Sequence, residues 1–144
     1  MSTIKEVLDR KGSSVLTVPA STSVLDAIGK MSAANIGAIV IQDGDQPAGI
    51  FTERDYLRKI ALEGRASETT PVSAVMSSPL ITAQSVESTR AAMETMTERR
   101  CRHLISVDND QMVGIVSLGD VVKHLLVEAE AEVEQLSSYI AGSY

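Results

Sequence analysis

Two short stretches of the chain carry the same chemistry-bearing spacing. Residues 49–60 read GIFTERDYLRKI and residues 114–125 read GIVSLGDVVKHL. Each places a hydroxyl three positions before an aspartate: Thr52 with Asp55, and Ser117 with Asp120. Two readings of that spacing stand side by side. A hydroxyl at a helix N-cap and a carboxylate at the third helical position satisfy free backbone donors, and the carboxylate complements the helix dipole. A helix N-terminus is also a ready anion site. The hydroxyl could bond a phosphate there, and the Asp could accept from two ribose hydroxyls as an acidic residue does in dinucleotide folds. Both can hold together, because a carboxylate has several lone pairs.

The elements that position these residues are themselves duplicated. Residues 16–60 align with 81–125 without a gap. The identical pairs are Thr17/Thr82, Ser23/Ser88, Ala27/Ala92, Met31/Met96, Asp43/Asp108, Asp45/Asp110, Gln46/Gln111, Gly49/Gly114, Ile50/Ile115 and Asp55/Asp120. Ordinary residue usage would give roughly three matches in such a window, so the repeat is a structural duplication. Each unit opens with an extended piece, VLTV or LITA, before a helix that carries Val24, Ile28 and Met31, or Ala92, Met93 and Met96, on one face. Ser23 and Asp26 have capping-box spacing at the first of these helices. A buried strand follows, GAIVIQD or HLISVD, then a turn in which Gly44 or Asn109 suits a positive φ. A short strand, AGIFT or VGIVS, leads into a second helix starting at Thr52 or Ser117. The fold class is therefore α/β (α+β), two β-α-β-β-α repeats over 7–62 and 80–126. The Ser/Thr/Pro-rich stretch 63–79 reads as a linker in which VSAVM can form one helical turn. Neither repeat is large enough to bury both helices and a sheet alone, so the two are expected to pack together with pseudo-twofold symmetry.

The core has to be aliphatic, since 44% of residues are hydrophobic but only 3% aromatic. A net charge of −6 argues against general binding to nucleic acid or to a membrane surface. The single Cys101 allows no internal disulfide, which suits a reducing cytoplasm. MSTIKEVLDRK has no apolar h-region, so no signal peptide is expected, and no apolar run reaches membrane-spanning length. The six Met residues are core filler, and Cys101 is a small buried residue. Cys101, His103 and His124 lack any zinc spacing, so no metal is expected. No GxGxxG, Walker motif or nucleophile dyad is present, and no catalytic residue is assigned.

GIFTERD and GIVSLGD, preceded by TVPASTSVLDAIGKM and TAQSVESTRAAMETM, make the chain resemble a tandem CBS-domain pair, or Bateman module, over about residues 7–126. KGSSVLTV, RCRHLISV and the tail EAEAEVEQLSSYIAG resemble those of stand-alone bacterial CBS-pair proteins. The resemblance implies a non-enzymatic module that binds adenine nucleotides in two clefts between the repeats and associates as a flat homodimer. It implies that Asp55 and Asp120 bond ribose hydroxyls while Thr52 and Ser117 bond phosphate. For the Asp120 cleft it places adenine at Leu16 and Thr17, with Gly37 and Ala38 nearby; for the Asp55 cleft, at Ile81 and Thr82, with Arg102 and His103. Arg54 and Lys11 are further phosphate candidates. Gly37 and Ala38 carry no charge where Arg102 and His103 do, so the two clefts are expected to differ in affinity. AMP, ADP or ATP is the first ligand expected and NAD or NADH the alternative. S-adenosylmethionine fits less well, because Arg54, Arg102 and His103 suit an anion.

Structural roles compete for some of these residues. Arg99, Arg100 and Arg102 follow a helix end, where cations complement the dipole, and His103 can be a plain strand residue. Residues 119–140 form an amphipathic helix with Val122, Leu125, Leu126, Ala129, Val133, Leu136 and Ile140 at 3/4 spacing. It either folds back on its own domain or pairs in a homodimer, and the N-terminal IKEVLD could join either arrangement. The competing function is a ligand-free dimerisation adaptor, in which the hydroxyl-x-x-Asp motifs only cap helices.

Overall fold

The computed structural model describes residues 2–142. Two compact units share the chain: one runs from Ser14 to Ile81, and the other joins the segment up to Ser13 with the chain from Thr82 onward. They are called here the repeat-one and repeat-two units.

In the repeat-one unit, β1 (Thr17–Pro19) leads to α2 (Val24–Ala34), β2 (Ala38–Asp43) and β3 (Gln46–Thr52). A short α3 (Glu53–Asp55) then widens into a π-helix over Tyr56–Ala61. β1 pairs parallel with β2, which forms an antiparallel hairpin with β3. Ser23 caps α2 by accepting from the Asp26 amide at 3.1 Å, and the helix ends at Asn35 in the left-handed region (φ 55°). The repeat-two unit reproduces this 65 positions later: β4 (Thr82–Ala83), α4 (Thr89–Arg99), β5 (His103–Asp108) and β6 (Gln111–Ser117). Ser88 caps α4 at 3.0 Å, Arg100 ends it at φ 53°, and each hairpin carries a register shift at the same place, Ile41/Gln42 and Ser106/Val107. The turns hold Gly44 at φ 64° and Asn109 at φ 51°, as their sequences predict.

The units differ in what covers the sheet. In repeat one the core of Val18, Val24, Met31, Ile39, Ile41, Phe51 and Ile60 is completed by Val72, from a 3-10 turn over Val72–Ala74, and by Val75, which caps that turn. Ser77 then bridges Ile50 in both directions, at 3.0 and 2.8 Å. In repeat two that cover comes from the chain's start, α1 (Ile4–Lys11), which packs on β6 and on α5 (Leu118–Gly142). The repeated Gly of each Gly-Ile pair makes room for its cover. A Cβ on Gly49 would lie 2.9 Å from the Ser77 carbonyl oxygen, and one on Gly114 would lie 2.6 Å from a Leu8 methyl.

The expected helix after Thr52 is present but irregular, with amide bonds reaching five residues back, as from Leu62 to Leu57. Cys101 is half-buried rather than buried, because it follows the turn that ends α4. Every residue from Ala129 to Gly142 is exposed, so the tail helix does not fold back on its unit. Of the closing AGSY, Ser143 and Tyr144 lie outside the described residues. No helix among the described residues is long and apolar enough to cross a membrane.

Candidate functional site

Both hydroxyl-x-x-Asp motifs are capping boxes. The Asp55 amide donates to Thr52 Oγ1 at 3.1 Å while the Thr52 amide donates to Asp55 Oδ2 at 3.0 Å. In repeat two the Asp120 amide donates to Ser117 Oγ at 3.0 Å and the Ser117 amide to Asp120 Oδ2 at 2.9 Å. The surroundings of the two carboxylates differ. The Asp55 side chain is only 8% exposed. Its Oδ2 also accepts from the Thr52 hydroxyl at 3.2 Å, and its Oδ1 accepts from the Ser77 hydroxyl at 2.8 Å. The Lys59 ammonium sits 3.1 Å from Oδ1 and donates to the Val75 carbonyl at 2.9 Å. Asp55 is thus buried with both oxygens engaged, and it ties α3 to the covering segment.

Asp120 is more open, with 26% of its side chain exposed. Its cation comes from another helix: Lys11 Nζ, at the end of α1, lies 2.6 Å from Oδ2 and donates to the Ile115 carbonyl at 2.9 Å. Burial pushes the Asp120 carboxyl up, but the Lys11 hydrogen bond and charge and the Ser117 amide and hydroxyl together outweigh it, so the carboxyl titrates below its ordinary value. The carboxylate therefore stays ionised and can accept from neutral hydroxyls.

The sheet brings two more of the sequence's candidates to this corner. His103 on β5 is the register partner of Ser117, and side chains so paired stand about 5 Å apart on one face. The Arg102 carbonyl accepts from the Leu118 amide at 2.9 Å, at the first residue of α5, and its side chain is exposed. Ser117, Asp120, Lys11 and His103 thus gather at the N-terminus of a 25-residue helix, where Arg102 contributes its carbonyl. In repeat one the same register sets Ala38 opposite Thr52, and the Gly37 carbonyl accepts from the Glu53 amide at 3.1 Å. Uncharged residues flank that motif, and Arg54 is exposed on α3. Leu16 is exposed, its carbonyl accepting from the Val40 amide at 3.3 Å, and the Thr17 hydroxyl bonds Gln42 at 3.3 Å. Ile81 ends the repeat-one unit, and Thr82 opens β4 with its side chain exposed.

A hollow of about 430 Å³ in the repeat-one unit is open and lined by Ile28, Met31, Ile36, Phe51, Tyr56 and Leu57, with Ser32, Asn35 and Glu53 as its polar members. A largely apolar wall with one anion and no cation does not suit a phosphate, so the charged corner at Asp120 is the better candidate. Sequence reasoning missed Lys59 and Ser77 as partners of Asp55. The Asp55–Lys59 spacing of four on a helix was a signal for the first; Ser77 carried none.

The CBS domain family model matches residues 4–62 and 72–127. The CBS domain-containing protein CBSX3, mitochondrial, of Arabidopsis thaliana is 40% identical, over 99% of this chain and 74% of its own length. A crystal structure of the CBS-domain containing protein ATU1752 from Agrobacterium tumefaciens is 41% identical and superposes with a TM-score of 0.81, covering 85% of this chain and 92% of the other. The CBS domain protein PAE2072 from Pyrobaculum aerophilum, complexed with AMP, shares the fold at 23% identity with a TM-score of 0.72, over 82% and 88% of the two chains. With both repeats matched and the duplicated frame in place, the chain belongs to the CBS-domain family.

Proposed function

We propose that this chain is a non-catalytic regulatory module that binds an adenine nucleotide, with Asp120, Ser117 and Lys11 as its ribose–phosphate receptor. The observation that carries this reading is the open, ionised Asp120 beside a cation at the start of a long helix. A carboxylate suits two vicinal hydroxyls, while Lys11, the Ser117 hydroxyl and the helix N-terminus suit an anion. Lys11 keeps 31% of its side chain exposed beside Asp120, where its ammonium would meet a phosphate. Arg102, exposed next to this corner, brings a cation into a chain whose net charge of −6 would otherwise repel a nucleotide, and His103 stands opposite Ser117. The fold neighbour complexed with AMP supports this ligand class.

Repeat one carries a different weight. Its Asp55 is used up by Thr52, Ser77 and Lys59, so the same motif there is a structural cap. That observation favours one working ribose site, at Asp120. It also favours, as the second reading, a ligand-free adaptor in which both motifs only cap helices. The exposed stripe of Leu126, Val133, Leu136 and Ile140 on α5 supports self-association of two chains under either reading.

Thermal unfolding of nucleotide-stripped protein against AMP, ADP, ATP, NAD, NADH and S-adenosylmethionine separates the two. A ligand at 100 times its dissociation constant adds about 2.7 kcal/mol, a rise of several degrees in Tm. A shift with an adenine nucleotide supports the sensor; no shift with any of them at millimolar concentration leaves the adaptor.

A further inference from the structure

One turn along α5 from Asp120 lies a second cluster with no part in the reading above. His124 is 4% exposed. Arg10 Nε, from α1, donates to its Nδ1 at 3.1 Å. Its Nε2 is buried and has no hydrogen-bond partner. Glu128 Oε1 lies 3.1 Å from that nitrogen but is not aligned for a hydrogen bond, and Glu6 Oε2 lies 3.9 Å away. Buried polar atoms are almost always satisfied, and this nitrogen, once its proton has moved to Nδ1, is placed to share an ion with the two carboxylates beside it.

We propose that Glu6, His124 and Glu128 form a site for one divalent transition-metal ion of the zinc class. The three ligand atoms lie within 4.8 Å of one another. Bonds of 2.0–2.2 Å in a tetrahedral ion set ligand atoms about 3.3–3.6 Å apart, so shifts of under about an ångström complete the set. The two glutamates are half-exposed and free to make them, and their exposure leaves a fourth position for water. His124 and Glu128 are four apart on one helix and share a face; Glu6 comes from the facing helix, so the ion would clip α1 to α5. One imidazole with two carboxylates suits zinc and its first-row neighbours better than magnesium or calcium, which prefer oxygen alone. Cys and His spacing in the sequence gave no hint, because two of the three ligands are glutamates and one is 118 residues from its partner His124. The repeat does not supply the site twice, since the counterparts of His124 and Glu128 are Lys59 and Glu63, which pair with Asp55 and Arg65.

Arg10 sets the condition for binding. By donating to Nδ1 it holds the ring proton on Nε2, the nitrogen the metal needs. Binding therefore moves that proton to Nδ1 and turns Arg10 away. A group that accepts from Nδ1 would favour the metal, because it fixes the ring and raises the basicity of the ligating nitrogen.

The test is calorimetric titration of zinc chloride into the chelator-treated full chain, with thermal unfolding alongside. One ion per chain and a raised Tm are expected. Glu6→Gln and Glu128→Gln should each weaken binding about tenfold or more, and Arg10→Gln, whose amide oxygen can accept from Nδ1–H, should strengthen it. Both glutamates are half-exposed, so these variants are expected to fold, which circular dichroism checks. Cys101→Ser should leave the affinity unchanged. Absence of binding at micromolar zinc, binding indifferent to Glu128→Gln, or loss of binding in Cys101→Ser would each overturn the assignment. None of these outcomes bears on the nucleotide site.

Discussion

Asp55→Asn and Asp120→Asn make the same chemical change at equivalent positions, and the structure assigns them different costs. Asparagine keeps the shape of Asp55 but turns one of its oxygens into a donor. If the new amide nitrogen replaces Oδ2 it meets the Thr52 amide, donor against donor; if it replaces Oδ1 it meets Lys59. One charge-assisted bond is lost either way, worth about 1.5–3 kcal/mol. Breaking a fully buried ion pair costs about 3–5 kcal/mol. Lys59 is 35% exposed and keeps its bond to the Val75 carbonyl, so water recovers part of this. We expect a loss of about 2 kcal/mol for Asp55→Asn. At Asp120 the amide oxygen can still accept from the Ser117 amide, and only the partly exposed pair with Lys11 is lost. That change should cost less than about 1 kcal/mol. Urea unfolding of nucleotide-stripped protein, followed by circular dichroism because the chain has no Trp, reads both. Thermal midpoints should fall by about 6 °C for Asp55→Asn and by under about 4 °C for Asp120→Asn. Equal losses, or a larger one at Asp120, would refute the division into a sealed cap and an open one.

Three further outcomes follow from the geometry. Gly49→Ala should destabilise more than Gly114→Ala, because the first drives a methyl against the Ser77 backbone and the second against a Leu8 methyl that can turn aside; parallel urea titrations decide it. Acid should erode stability in a defined window. The Asp120 carboxyl is lowered in the fold, as is Asp108 through hydrogen bonds from the Ser85 hydroxyl and amide, so the unfolded chain takes up their protons first. Their contribution is complete above the ordinary value of 3.8 and is lost as pH falls through the folded values, so the gap in stability between the unchanged protein and Asp120→Asn should hold at pH 6 and shrink below about pH 4. On the proposed self-association through the exposed stripe of α5, Leu136→Asp should lower the mass found by light scattering from that of two chains to one; a mass of two chains kept in the variant places the contact elsewhere, and a mass of one chain in the unchanged protein contradicts self-association.

Much of this fold was legible because it is written twice. The gapless repeat fixed the order of elements, and Ser23/Ser88, Thr52/Ser117 and the Gly44/Asn109 turns act locally, within three or four residues of what they cap. What escaped is what acts at a distance. Val72 and Val75 fill a core from within a polar stretch that has no periodicity. Ser77 reaches Asp55 across 22 residues and Lys11 reaches Asp120 across 109, and nothing local marks either pair. The sequence led us to expect two clefts of different affinity, with Arg102 and His103 serving the cleft of Asp55, whereas the β5–β6 register sets His103 opposite Ser117, in the motif of Asp120. The structure ties that difference first to burial and to the origin of each lysine: Lys59 on the next turn of the same helical segment, Lys11 on a separate helix.

Calorimetric titration of AMP into the nucleotide-stripped protein, Asp120→Asn and Asp55→Asn tests the central claim most directly. Losing a charge-assisted contact to ribose is worth about 1.5–3 kcal/mol, or roughly ten- to a hundredfold in affinity. The account predicts that loss for Asp120→Asn, with Asp55→Asn binding within about threefold of the unchanged protein wherever it is folded. Affinity untouched by Asp120→Asn, or lost only in Asp55→Asn, would contradict it.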